Sequence, residues 1–201
     1  MNIVIVTSVI NAEQSFFSNE ERLNQLVNKT IPSILDKIPN PYIVLLEGSI
    51  LTDNQLLILN KLKINEIHYY KTYNCEKSLG EVILISSFLT SESFYKIENK
   101  INNLIKISGR YYLLDEFNFN INSKNVIKKD HNRKVCETRY YKIVKDQIIQ
   151  FKNSIISLRN NGIFHDLEHS FYQYDIVPTI NDIDRIYIGG NLGPNGEYTE
   201  D

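Results

Sequence analysis

The chain has 201 residues, 42% of them hydrophobic and 23% charged, with a formal net charge of −2. That length suits one large domain with a true core, and the balance is that of a globular protein rather than a disordered one. The absence of a basic excess excludes bulk electrostatic binding of nucleic acid, so any site for an anion must be local.

Cys75 and Cys136 have neither CxxC nor Cys/His metal spacing and are read as free thiols in a reducing compartment. The amino terminus enters Ile3-Val4-Ile5-Val6 directly, without a basic start or an apolar run long enough to span a bilayer. The expected location is cytoplasmic, with no membrane span.

Residues 3–9 are a β-branched run expected as a buried strand of a parallel sheet. Ser18-Asn19-Glu20-Glu21 is a capping box opening a helix with Leu23, Leu26, Val27, Ile31, Ile34, Leu35 and Ile38 on one stripe. Pro32 is expected to kink or break that helix, and Pro39 and Pro41 to end it. Residues 42–46 read as a second buried strand, closing on Glu47-Gly48-Ser49. A second box, Thr52-Asp53-Asn54-Gln55, starts a helix through Leu56, Leu57, Leu59 and Leu62. Residues 67–70 are a short strand, and a third box, Ser78-Leu79-Gly80-Glu81, starts the next helix. Residues 94–104 look helical. The alternation predicts a three-layer α/β/α sandwich around a mostly parallel sheet, in a single domain.

Residues 103–114 continue as an extended stretch. On a strand, Lys106, Ser108 and Arg110 would share one face and Ile105, Ile107 and Tyr111 the other. That places two cations and a hydroxyl in a row in mid-sequence, with no carboxylate beside them in the local sequence. The arrangement suits an anionic ligand; the competing reading is a half-exposed strand with solvated charges. Residues 116–134 are expected as a mobile loop. Residues 135–143 are strand-like, residues 147–160 form an amphipathic helix closed by Asn161-Gly162, and residues 166–174 a short helix carrying Glu168 and His169. A last strand, 185–188, leads into a glycine-rich turn region at 189–196.

In open α/β sheets ligands bind beyond the carboxyl ends of the strands. Those ends carry Thr7, Ser8 and Asn11, then Glu47, Gly48 and Ser49, then Tyr73, Asn74 and Lys77. No GxGxxG or Walker loop is present, which excludes dinucleotide enzymes and P-loop ATPases on their strongest signals. Hydroxyls beside an acid suit a hydroxyl-rich ligand such as ribose or a sugar, although polar residues also cap strand ends in any fold.

The order of these motifs resembles small GT-A-type glycosyltransferases of bacterial surface-polysaccharide loci and of large DNA viruses that make their own glycans. The residues concerned are the first strand with Ser18-x-x-Glu21-Arg22, Leu46-Glu47-Gly48-Ser49, Lys77-Ser78-Leu79-Gly80-Glu81 and Lys106-Ile107-Ser108-Gly109-Arg110-Tyr111. Leu167-Glu168-His169-Ser170-Phe171-Tyr172 and the glycine-rich end are similar to the acceptor side of that group. The resemblance implies a GT-A-like fold, with residues 1–114 binding a UDP- or GDP-sugar donor and residues 115–201 facing a glycan or other hydroxyl acceptor. It implies Thr7, Ser8 and Glu47 at the base and ribose, and Arg22 and Lys77 at the diphosphate, with Gly80 and Ser108 in the same donor site. Arg139 is either a further phosphate or acceptor contact or a surface arginine.

One departure stands out. Related enzymes carry Asp-x-Asp on the strand occupied here by Ser108-Gly109-Arg110. Either Arg110, with Lys106, neutralises the diphosphate directly, or Asp115 or Glu116 holds Mg²⁺ or Mn²⁺. The first is preferred, because adjacent side chains on an extended chain diverge. Asp182-Ile183-Asp184 comes too late in the order and is read as a solvated turn. For an inverting transfer, Glu168 or His169 would be the base and Arg110 would stabilise the leaving diphosphate. Neighbours on a helix lie about 100° apart, so only one of Glu168 and His169 faces a cleft, with Glu168 preferred. Competing readings are a non-catalytic nucleotide-sugar or glycan-binding module, one domain of a larger synthase, or an unrelated doubly wound protein. The oligomeric state stays open.

Overall fold

The computed structural model describes residues 1–13, 15–72, 75–121, 124–163, 165–177, 185–191 and 197–200, with the backbone alone at residue 121. The expectations placed on Tyr73, Asn74, Asp182, Ile183, Asp184 and residues 192–196 lie outside the described residues.

The first β-branched run becomes β1 (Asn2–Ser8), whose Ile3, Val4, Ile5 and Val6 are fully buried. Burial on both faces requires parallel neighbours covered by helices. β1 pairs in parallel with β2 (Pro41–Glu47) on one side and β4 (Asn103–Ser108) on the other. β3 (Glu66–Tyr69) extends the sheet beyond β2, and β8 (Tyr140–Val144) closes the other edge antiparallel to β4, giving the order β3-β2-β1-β4-β8. The protein is therefore α/β with a mostly parallel central sheet.

Local signals set the helices. In α1 (Asn19–Gln25), the Glu21 amide donates to Ser18 Oγ at 3.2 Å and the Ser18 amide to Glu21 Oε2 at 2.7 Å, so both halves of the capping box form. Pro32 does more than kink the helix. The chain inserts a π-helical turn, Leu26–Thr30, before α2 (Ile31–Lys37). The wider turn lets the Ile31 amide reach the Leu26 carbonyl just ahead of a residue that has no amide to give. The Thr52/Gln55 box forms likewise at α3 (Asp53–Leu59).

The third box does not form. The N-cap of α4 (Lys77–Leu89) is Glu76, whose carboxylate accepts from the Ser78 and Leu79 amides at 3.0 Å each. Ser78 lies inside the first turn, and Glu81 turns toward the sheet. α5 (Glu92–Ile97) and a 3₁₀ turn lead into β4.

The stretch 103–114 is not one strand. β4 ends at Ser108, where the Gly109 amide donates to the Thr7 carbonyl at 2.8 Å, and β5 (Tyr111–Leu113) leaves the main sheet. β5 joins an antiparallel sheet with β9 (Ile188–Asn191) and β10 (Tyr198–Glu200), so Gly189 and Gly190 are strand residues rather than a turn. A Cβ on Gly190 would lie 2.5 Å from both the Arg110 carbonyl oxygen and Tyr111 Cδ1. Gly190→Ala is expected to lower stability by about 1–3 kcal/mol, the range typical of overpacking. Urea denaturation measures it; an unchanged midpoint would show that the small sheet adapts.

Between β5 and β8 the described chain holds a 3₁₀ turn (Phe119–Ile121) and a hairpin of β6 (Lys129–Asp130) and β7 (Val135–Cys136). α6 (Ile148–Asn161) stops at Gly162, which takes a φ of 93° and donates to the Leu158 carbonyl at 3.1 Å. α7 (Leu167–Gln173) starts at the N-cap Asp166. Cys75 and Cys136 are free, and burial pushes the Cys136 thiol up to about 12.

Strand alternation divides the core. Ile3, Ile5, Val44, Leu46 and Leu104 pack with Val82 and Ile85 of α4, Phe151 of α6 and Phe171 of α7. Val4, Val6, Ile43, Leu45, Ile105 and Ile107 pack with Leu23, Ile34 and Leu59 of the first three helices and with Leu26 of the π turn. Helices thus cover both faces of the sheet. Among the described residues, no helix is long and apolar enough to cross a membrane.

Candidate functional site

The strand order reverses between β1 and β4. One set of connections runs outward from β1 to β3, and the next returns across the sheet to β4, which opens a crevice at the carboxyl ends of that pair. A cavity of about 740 Å³ occupies this place, floored by Thr7, Ser8, Ser108 and Gly109. Arg22 from α1 and Arg110 from the β4–β5 turn form one wall; Lys77, Gly80 and Glu81 from the first turns of α4 form the other.

The guanidinium of Arg22 is pinned by donation from Nη1 to the Val9 carbonyl, beyond the end of β1. Burial lowers its pKa, the nearby Arg110 lowers it further, and Glu47 opposes both. Arg110 carries its guanidinium 5.8 Å from the Tyr111 ring centroid. Among the described residues neither arginine has an ion-pair partner. Two close, half-desolvated like charges are relieved by an anion between them.

Lys106 is the largest correction. The strand pattern reads it as free charge, yet it is fully buried on the α4 face of β4. Its Nζ forms an ion pair with Glu81 and donates to Ser108 Oγ at 2.7 Å and to the Thr138 carbonyl at 2.6 Å. An ammonium has three protons, and all three are committed. Burial pulls its pKa below the ordinary lysine range, with Glu81 pulling the other way. Nor do Lys106 and Arg110 share a strand face, because the chain turns at Gly109-Arg110.

Glu47 is fully buried and stands outside the cavity wall. Its Oε1 accepts from the Ile10 amide at 3.0 Å and the Ser49 amide at 2.9 Å, tying the loop after β1 to the loop after β2. Burial raises its pKa against those bonds. Asn11 belongs to the same latch, its amide donating to Ser49 Oγ at 3.0 Å. Gly48 is needed there because a Cβ would collide with Thr72 Oγ1.

Arg139 also stands outside the wall, ion-paired with Glu137 and 5.4 Å from the Tyr111 ring centroid. Glu168 Oε1 accepts from Thr138 Oγ1 at 3.1 Å, behind Lys106, and His169 Nδ1 lies 2.8 Å from Asp166 Oδ1. Neither Glu168 nor His169 lines the cavity. Asp115 pairs with Lys37 at 3.1 Å with its side chain 99% exposed, and Glu116 is exposed too. Both stand outside the cavity wall, so as placed they do not fit a divalent cation held against a ligand there.

Of the residues singled out in the sequence, Thr7, Ser8, Arg22, Lys77, Gly80, Ser108 and Arg110 come together on one cavity. The residue that sequence reasoning misses is Glu81, which reads as half of a capping box. A signal for it exists: a lysine inside a buried strand requires a carboxylate on the helix packed over it.

No protein-family model matches the chain, and no curated protein matches its sequence.

Proposed function

We propose that this protein is a GT-A-type glycosyltransferase that binds a UDP- or GDP-sugar in the switch-point cavity and transfers the sugar to a hydroxyl of a glycan or other acceptor. The observation that carries this reading is the pair Arg22 and Arg110, brought together without a direct ion-pair partner among the described residues where the strand order reverses. A diphosphate fits that demand. Paired guanidinium groups hold its oxygens in the bound state and neutralise the charge that grows on it as the glycosidic bond to the donor breaks. Lys77, at the mouth from α4, adds a third cation, and Thr7, Ser8 and Ser108 offer hydroxyls beside it. The cavity volume of about 740 Å³ lies in the range of small-molecule sites. Metal-independent donor binding and a cytoplasmic location belong to the same proposal.

A second reading has its own support. Glu168 and His169, the candidates for the base, stand off the cavity wall, which favours a nucleotide-sugar-binding module without turnover. The two are separated by calorimetric titration with UDP, GDP, UDP-glucose and GDP-mannose, followed by chromatography of the incubated donors with and without Mn²⁺. Release of nucleoside diphosphate supports the transferase, binding without release supports the module, and no binding of any of the four overturns both.

A further inference from the structure

We propose that the buried Lys106–Glu81 pair is a built hydroxyl-recognition element: Glu81 presents its carboxylate to the cavity as an acceptor for the sugar hydroxyls of the bound ligand, with Ser108 as the donor beside it. The proposal rests on the nucleotide-sugar reading and says which side of the cavity takes the ligand's hydroxyls.

The geometry supports each part. Lys106 is fully buried and has no proton left for a ligand, so its positive charge serves the protein and not the donor diphosphate. Glu81, by contrast, lines the cavity with its side chain 16% exposed. A carboxylate on a cavity wall repels phosphate and accepts from O–H groups. Ser108 Oγ receives a Lys106 proton, which leaves the hydroxyl's own hydrogen to donate to a ligand oxygen. The two arginines stand apart from this pair: Arg22 comes from the helix layer on one face of the sheet, and Glu81 from α4 on the other, where Lys77 lies one turn before it at the exposed start of the helix. The cavity therefore carries the arginine pair on one side and the Glu81 carboxylate on the other, with Lys77 on the same helix as Glu81. A ligand that satisfies both carries a phosphate group joined to a polyol. The hydroxyls come from either ribose or the transferred sugar, which share this chemistry.

The test compares wild type and Glu81→Gln, which keeps the shape and an oxygen for Lys106, by calorimetry with inorganic pyrophosphate, UDP and UDP-glucose, and with the GDP series in parallel. The affinity for UDP-glucose relative to pyrophosphate is expected to fall about tenfold or more, as for loss of hydrogen bonds to a charged group. A fall shared by UDP and UDP-glucose assigns the hydroxyls to ribose, and a fall in UDP-glucose alone assigns them to the transferred sugar; either supports the proposal. An unchanged ratio in a folded variant, or an equal loss that includes pyrophosphate, overturns it while leaving nucleotide binding in place. Wild-type protein that binds none of the nucleotides overturns the proposed function, and this inference with it. Should Glu81→Gln not fold, Ser108→Ala keeps the ion pair and is expected to lower the same ratio several-fold, with no change counting against the proposal.

Discussion

Lys106→Met is expected to lower the free energy of unfolding by about 3–5 kcal/mol, because it leaves the Glu81 carboxylate desolvated without its counter-charge. It also leaves Ser108 Oγ and the Thr138 carbonyl without the donor they share. Urea denaturation monitored by circular dichroism gives the value. The double variant Lys106→Met/Glu81→Leu is expected to recover most of the loss, since replacing both members of a buried pair with apolar groups is often neutral or stabilising. That recovery separates an ion pair from a tightly packed aliphatic stem, which the second substitution would not rescue. If Lys106→Met unfolds at the wild-type midpoint, Glu81 does not depend on Lys106 for its counter-charge. Tyr141, whose ring centroid lies 5.9 Å from Lys106 Nζ, bounds the space available to Met, so the measured cost includes some repacking.

Arg110→Ala is expected to weaken binding of UDP or GDP by about 1.5–3 kcal/mol, roughly ten- to hundredfold, the scale of charge-assisted hydrogen bonds. Stability is expected to change little. The arginine has no ion-pair partner among the described residues, and its loss relieves repulsion on Arg22. Arg110→Lys keeps the charge without the planar fork and is expected to fall between wild type and Ala. EDTA is expected to leave wild-type affinity unchanged. If EDTA abolishes binding, the direct role of Arg110 in holding the diphosphate is wrong. Salt sensitivity should drop together with affinity in Arg110→Ala, because the lost contact is largely coulombic and partly exposed.

The boundary between what is legible in the sequence and what is not runs through particular residues. The boxes at Ser18/Glu21 and Thr52/Gln55 are readable because cap and partner lie within a single turn. Ser78-Leu79-Gly80-Glu81 has the same spelling, yet Glu81 is drawn away by Lys106 on a strand distant in sequence, and Glu76 caps the helix instead. Residues 103–114 have β character throughout. The break after Ser108 depends on the Gly109 amide meeting the Thr7 carbonyl, and on β9 arriving from the far end of the chain to pair with β5. Pro32 announces a disruption but not its form; the π turn comes from packing Leu26, Thr30 and Ile31 while bypassing a missing amide. For the site, the strand ends point to the right end of the sheet, and Arg22, Lys77 and Arg110 do meet there. Glu47 and Lys106 look equally available in the sequence, and both are committed inside the protein.

Strand, helix and cap identities are written in patterns of two to four residues, where the backbone's own geometry decides the outcome, and so the α/β order, the parallel core strands and most helix starts follow from the amino acids alone. Which charges remain free for a ligand does not. That depends on the parallel register of β1 with β4 and on the seating of α4 over them, which bury Lys106 against Glu81 and leave Arg22 and Arg110 together on one wall of an open crevice. A charge is neutralised by whatever lies a few ångströms away in space, and only the tertiary fold selects that neighbour.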